Sequence, residues 1–457
     1  MTRTQTDHRT RLLNAIPGGA HTYSRGFDTY PSNAPDLMVR GKGCRSWSAD
    51  GREFVDTVMA LASVSIGFAE DEIDEAAIEQ IRRGNTTSRP SEVELEAAEK
   101  LIDLVDSADM VKFTKNGSTA VTAAVKLARA HTGRNLIARC RQHPFFSYDD
   151  WFIGSTPIKK GVPEEVVNGT VLFDYNNLES LKNLVAEHNG DISCVVMEPV
   201  TSQVPNGLVC EDSGALPLIT LEDFEDCNHC FLHEVQQFCR ENGIVFILDE
   251  MLTGFRWHDK GAQHLFGLDP DLCTFGKAMA NGFSVACVAG HREIMEHGSI
   301  EFEGRERMFL LSTTHGAEMS GLGAFVSTVA FNEREKVTAG LWEKGQRLVN
   351  MAREIAATHD LSDHVHFGGV ACRPSFMVVD EQGNPSLSLR SLMMQEMIRG
   401  GVLLGAMNVS HRLDQDAFES IERAFHETMP VLSRGIRDGV DGLLEGPPAK
   451  PVFRQFN

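Results

Sequence analysis

The chain has 457 residues, 42% of them hydrophobic, which is more than one small core needs and calls for division into lobes. Its formal net charge of -21 comes from 64 acidic against 43 basic residues, with no basic run, and this disfavours nucleic acid or an anionic membrane as partner. The first residues carry no continuous apolar segment, and no window approaches the ~18 apolar residues of a bilayer span, so a soluble, cytoplasmic protein is expected.

In chain order, a Gly-rich entry (IPGGAHTYSRG) leads to MVRGKGCRSWSADGREFVDTVMAL, which alternates like a hairpin around Asp50-Gly51. DEIDEAAIEQIRRG and SEVELEAAEKLIDLV then carry helical periodicity. From Met110 onward short apolar runs (VKFT, NLIARC, GTVLFDY, ISCVVMEPV, GIVFILDE) alternate with helical stretches such as LESLKNLVAEH and CFLHEVQQFCREN. That alternation predicts an α/β unit built on a mostly parallel sheet. A long helix in FNEREKVTAGLWEKGQRLVNMAREIAATH leads to a second, α+β unit, and the tail GPPAKPVFRQFN reads as a surface strap. The expected division is 1–70 as an N-terminal segment packing with the small domain, 71–330 as the large domain and 331–457 as the C-terminal small domain. Ten scattered cysteines, many in apolar strands, suit buried free thiols better than a disulfide framework.

Three places carry chemistry. In KNGSTAVTAAVKLAR a strand ends, Asn116-Gly117-Ser118 turns, and a small-residue helix begins, so free backbone N–H groups and the positive end of a helix dipole face one point. That arrangement binds phosphate, although an ordinary capped helix has the same look. GIVFILDE delivers Asp249 at the carboxyl end of a buried strand, where it either holds a protonated pyridine nitrogen or is a structural acid that caps the next helix or pairs with Arg256. CTFGKAMANG places Lys277 among apolar neighbours 28 residues further on, where desolvation favours a neutral amine able to form a Schiff base; a snorkelling surface lysine is the plain alternative. A phosphate cup, an acid for a pyridinium and an amine for an aldehyde are together the three handles of pyridoxal 5'-phosphate.

The ordered motifs NGST, MEPV, LDEMLTGFR, FGKAMANGF and STTHGAE resemble the fold-type-I enzymes that use this cofactor. Within them the chain is most similar to class-III aminotransferases of the glutamate-1-semialdehyde aminomutase branch, over nearly its whole length. The resemblance implies Lys277 as the Schiff-base lysine, Asp249 as the pyridinium partner, and Asn116, Gly117 and Ser118 as the phosphate cup. It also implies a homodimer with shared active sites, in which Thr314 reaches the neighbouring subunit's phosphate. Glu198 falls at a strand end near the cofactor, Gln203 near its phenolic oxygen, and Arg25 where a substrate carboxylate is bound, a role that suits the guanidinium fork.

The chain also departs from that pattern. The usual NSGTEA run is here Lys115-Asn116-Gly117-Ser118-Thr119-Ala120, without the glutamate. The aromatic that covers the cofactor ring is replaced by Gln142-His143-Pro144-Phe145, so that Gln142, His143 or Phe145 must take its place. Extra sequence follows MEPV; in it Cys227, Cys230 and His233 have i, i+3, i+6 spacing that zinc could use together with Cys210. The plainer reading is a loop and helix at the dimer surface or cofactor entrance, and no resident metal is expected.

The expected activity is amino transfer between an amine donor and a carbonyl acceptor in a ping-pong cycle. The alternative is an aminomutase that returns the nitrogen to the same molecule; a catalytically silent binding subunit is opposed by the intact Lys277 and Asp249.

Overall fold

The computed structural model describes residues 3–200, 203–208, 212, 214–225, 227–301, 303–304 and 306–456. Two compact units divide the chain: one of residues 1–70, 210–220 and 339–452, the other of residues 71–209, 221–338 and 453–457.

The second unit is built on a seven-stranded sheet in the order Met110–Thr114, Ala286–Gly290, Leu272–Phe275, Val245–Asp249, Ile192–Met197, Leu136–Cys140, Thr170–Phe173. Only Ala286–Gly290 runs against its neighbours. Ile192–Met197 and Val245–Asp249 are buried at every position, which is why they read as unbroken apolar runs rather than alternating ones. The helix Gly117–Thr132 lies on this sheet through small residues, with Ala120, Ala123, Ala124 and Ala128 all buried. The Asn116 side chain accepts from the Thr119 amide at its start, and Gly133 closes its end in the left-handed region at φ 66°.

The long C-terminal helix expected near residues 331–359 is two helices, Met319–Glu335 and Val337–Thr358, broken where Lys336 turns left-handed at φ 51°. The first of them packs closely on the helix Asp71–Arg82, so the division falls after Thr338 rather than near residue 330. The tail is likewise shared out, since Phe453 packs beside Phe145 and Phe152 in the second unit.

In the first unit, Met38–Lys42, Arg45–Ser48 and Glu53–Asp56 pair antiparallel, as the alternation and the Asp50-Gly51 turn predict. Val402–Leu403 adds to them in parallel, so N- and C-terminal segments share one sheet. A second sheet pairs Val365–Val370 with Arg373–Val378 and takes its third strand, Leu218–Ile219, from the extra sequence that follows MEPV. That sequence is therefore not only a surface loop. Arg353 fastens it: the guanidinium donates to Phe367 O at 2.8 Å and Leu216 O at 3.0 Å and pairs with Asp212 Oδ2 at 2.7 Å.

Replacing Arg353 by Met keeps the aliphatic stem and removes all three contacts. The amides of Gly369 and Ala371, which donate to Pro217 O and Ile219 O, should then exchange with solvent faster, while that of Val379, which donates to His364 O on the far side of the sheet, stays protected.

Candidate active site

Asp249 is the last residue of its strand and Glu250 the next, and strand geometry sends successive side chains to opposite faces. Glu250 is wholly buried and caps the helix Ala262–Phe266, accepting from Ala262 N at 2.9 Å and Gln263 N at 2.8 Å. It is a structural acid. Asp249, 2% exposed, accepts from the Met251 amide at 2.8 Å. Burial pushes its carboxyl well above the usual carboxylate range, and the Lys277 ammonium opposes that shift. Lys277, not Arg256, is the cation acting on it.

Lys277 opens the turn Lys277–Ala280, between a buried Phe275 and a buried Met279. Its own backbone is left-handed, at φ 45°, a conformation that costs a non-glycine residue on the order of 1 kcal/mol or more. The lysine is thus aimed by its backbone as well as by its side chain.

Met251 ties these pieces together. A Cβ placed on Gly117 would stand 2.8 Å from the Met251 Sδ, and one on Gly276 would stand 2.7 Å from the same sulfur. Met251 also packs with Ala120 and Ala286 in one buried cluster. One thioether therefore fills the space between the start of the Gly117 helix and the loop that carries Lys277, and it needs a bare glycine on both sides.

At the helix start, the amides of Gly117 and Ser118 precede the first i→i−4 bond. The Ser118 hydroxyl accepts from Tyr148 N at 3.1 Å, which leaves its proton to donate, and the Tyr148 hydroxyl lies 3.3 Å from Thr119 Oγ1. Lys115, just before the turn, pairs with Glu318 at 2.8 Å, and Asn85 holds the other oxygen of that carboxylate at 2.7 Å. Thr314 lies four residues before Glu318, exposed in the single chain.

The Gln142 and His143 side chains are both engaged by near neighbours. The Gln142 amide accepts from Tyr175 N at 2.9 Å and donates to Asp174 Oδ1 at 3.2 Å, so both of its ends are occupied. His143 is 2% exposed and packs edge-on against Phe146 and Tyr175, with no hydrogen-bond partner for either ring nitrogen. Burial, assisted by the Arg139 charge, lowers its pKa to about 3. Phe145 is the open ring of the run, at 43% exposed. Tyr175, which sequence reading passed over, joins two loops: its hydroxyl donates to Pro199 O at 2.7 Å, fixing the turn after the buried Glu198. Only its lone place after the strand GTVLFD hinted at it.

Gln203 is exposed at the start of a loop that Asn176 clasps, donating to Val204 O and accepting from Asn206 N, each at 2.8 Å. Asp149 and Asp150 stand at the start of the helix Asp150–Ile153, with Asp149 as N-cap. Arg25 belongs to the other unit, where it lines a cavity of about 650 Å³ with Tyr30 and Asp56.

The Aminotransferase class-III family matches residues 29–217 and 224–406. This chain belongs to the class-III aminotransferases. At the level of the family it is an enzyme, and its cofactor is pyridoxal 5'-phosphate. It is 34% identical over 293 residues to a glutamate-1-semialdehyde 2,1-aminomutase of Methanothermobacter thermautotrophicus, a stretch spanning 63% of this chain and 64% of that protein. It is 30% identical over 390 residues to a 3-aminobutyryl-CoA aminotransferase of Cloacimonas acidaminovorans, covering 85% of this chain and 87% of that one. In fold it is similar to the FumI protein of Sphingopyxis sp. MTA144 in its PLP internal aldimine form, with a TM-score of 0.81 at 24% identity over 97% of this chain and 98% of that one.

The residues present fit the cofactor: helix amides for a phosphate, a wholly buried carboxylate for a ring nitrogen, and a lysine whose charge that carboxylate feels.

Two outcomes follow for this class-III site. Met251→Ala should cost about 2–5 kcal/mol, because both flanking glycines leave the void unfilled, and the purified variant should retain less cofactor, read by absorbance after gel filtration. His143 has a folded pKa below its unfolded value of 6.5, so the unfolded chain takes up the proton first. Stability is therefore present above pH 6.5 and lost as pH falls from there towards about 3. His143→Phe should flatten the fall in melting temperature between neutrality and mild acid, by up to ~1.4 kcal/mol per pH unit.

Proposed function

We propose that the protein is an aminotransferase that moves an amino group between an amine donor and a carbonyl acceptor in two half-reactions. The observation that carries this reading is the meeting of Asp249, Lys277 and the Gly117-Ser118 amides around Met251. Bound pyridoxal phosphate supplies an aldehyde and an electron-withdrawing ring.

Lys277 would hold the cofactor through its Nζ, and the same amine would be the group that moves a proton at the substrate carbon. Its strained backbone and apolar flanks hold the Nζ in place for both tasks. Asp249 would keep the ring nitrogen protonated, and its burial would make that ion pair stronger than in water. The Gly117 and Ser118 amides and the Ser118 hydroxyl hold the phosphate, with Asn116 fixing the turn. Phe145, the exposed ring of the Gln142 run, would cover the cofactor ring, and Glu198 and Gln203 would border it from the loop that Tyr175 anchors.

Arg25 is assigned to a substrate carboxylate on the resemblance to the family. A homodimer is inferred, with Thr314 serving the neighbouring subunit. Large apolar side chains stand exposed in the same stretch of the single chain, Ile300 at 82% and Phe309 at 65%, as a covered interface would require. No helix among the described residues is long and apolar enough to cross a membrane, and the nine described cysteines are free; both agree with a cytoplasmic assignment.

The aminomutase reading is favoured by the Methanothermobacter relative's name. A panel of amino donors separates the two: an aminotransferase shows loss of the cofactor's absorbance band with donor alone and recovery on adding acceptor. An aminomutase turns over one substrate with no second. Lys277→Ala should lower either activity by at least about a hundredfold while the fold is kept. Full activity in that variant would sink the assignment.

A further inference from the structure

Cys227, Cys230 and His233 take no part in the chemistry described so far, yet their ligand atoms lie within 4.8 Å of one another. They do not share one helix face, as their spacing had suggested. The helix Phe231–Glu241 begins after Cys230, and Cys227 reaches the cluster from the turn before it. Cys230 is the N-cap: its amide donates to His233 Nδ1 at 3.1 Å, and its sulfur lies 3.2 Å from the same nitrogen. Both sulfurs are buried, at 7% and 1% exposure. The Cys227 and Cys230 side chains are hydrogen-bonded to each other. Two buried sulfurs beside an imidazole are the donor set of a thiophilic cation. Zinc bonds of about 2.3 Å to sulfur and about 2.0 Å to nitrogen make ligand-to-ligand edges of roughly 3.5 Å, within the span found here.

The surroundings make the cluster a clasp. Phe231 N donates to Asn206 O at 2.8 Å, and a Cβ on Gly207 would stand 2.8 Å from the Cys230 Cα. The segment 203–208 therefore lies directly on the cluster. The Phe231 ring packs edge-on at 5.1 Å against Tyr175, the residue that holds the Pro199 turn.

We propose that Cys227, Cys230 and His233 form a three-ligand zinc site that fastens the 203–208 segment to the start of the Phe231–Glu241 helix. On binding the ion the two thiols release their protons to solvent, and the His233 Nδ1 lone pair exchanges the Cys230 amide for the metal. Water completes the tetrahedron. Cys210, the fourth candidate ligand by sequence, lies outside the described residues.

The test uses the full chain with its cofactor, kept reduced, stripped with a chelator and then titrated with Zn²⁺ against a chromophoric chelator. One zinc per chain is expected, with a rise in melting temperature. Co²⁺ in its place should show a thiolate-to-metal charge-transfer band. Cys230→Ser and the double variant Cys227→Ser/Cys230→Ser should lose the stoichiometric metal, the band and the thermal shift. Should either fold poorly, His233→Gln keeps both thiols and should lose the thermal shift. No zinc held against the chelator, or zinc kept by the double variant, overturns the proposal. Because metal content is the readout, neither result depends on the amino-transfer reading.

Discussion

The thioether of Met251, packed between two glycines, is the contact on which the site depends. Its backbone amide positions the Asp249 carboxylate, and its sulfur keeps the start of the Gly117–Thr132 helix and the Lys277 loop at a fixed spacing. A flexible, unbranched side chain suits that gap, because it can conform to both faces without a branch that would meet either backbone. The interaction is apolar, but what it sets is electrostatic: the distance between a helix terminus, a buried acid and a lysine.

Around that pin, charge is placed by burial. Two adjacent acids leave the same strand; Glu250 is satisfied by backbone amides and serves the fold, while Asp249 faces the lysine. The difference arises from strand alternation alone. The strain stored at Lys277 is held by the same packing, since the turn is flanked by fully buried Phe275, Ala278 and Met279. On the other side of the site Tyr175 does for the loops what Met251 does for the strand ends, joining the Gln142 run to the turn after Glu198.

Much of this was legible in the residues. Unbroken apolar runs announced a sheet covered on both faces, and the small residues of STAVTAAVKLA announced a helix lying flat on it. Asp249 and Lys277 were legible because a charge in an apolar run needs a reason. Gln142 and His143 were harder: their place in the motif pointed to the cofactor, but an amide with three nearby hydrogen-bonding partners and an imidazole enclosed by rings answer to neighbours distant in sequence. The extra sequence after MEPV has no apolar run long enough to declare a strand, and Leu218–Ile219 is one only because the edge of another sheet accepts it.

The sequence by itself determined the order of strands and helices, the acid, the lysine and the helix terminus, because each is written in local periodicity or in a charge that burial makes costly. Only the tertiary structure decided that Met251 would be the spacer among them, that Gln142 would be spent on Tyr175 and Asp174, and that Cys227, Cys230 and His233 would converge. Those outcomes turn on contacts between segments far apart in the chain, and periodicity carries no information about which distant segment a side chain will meet.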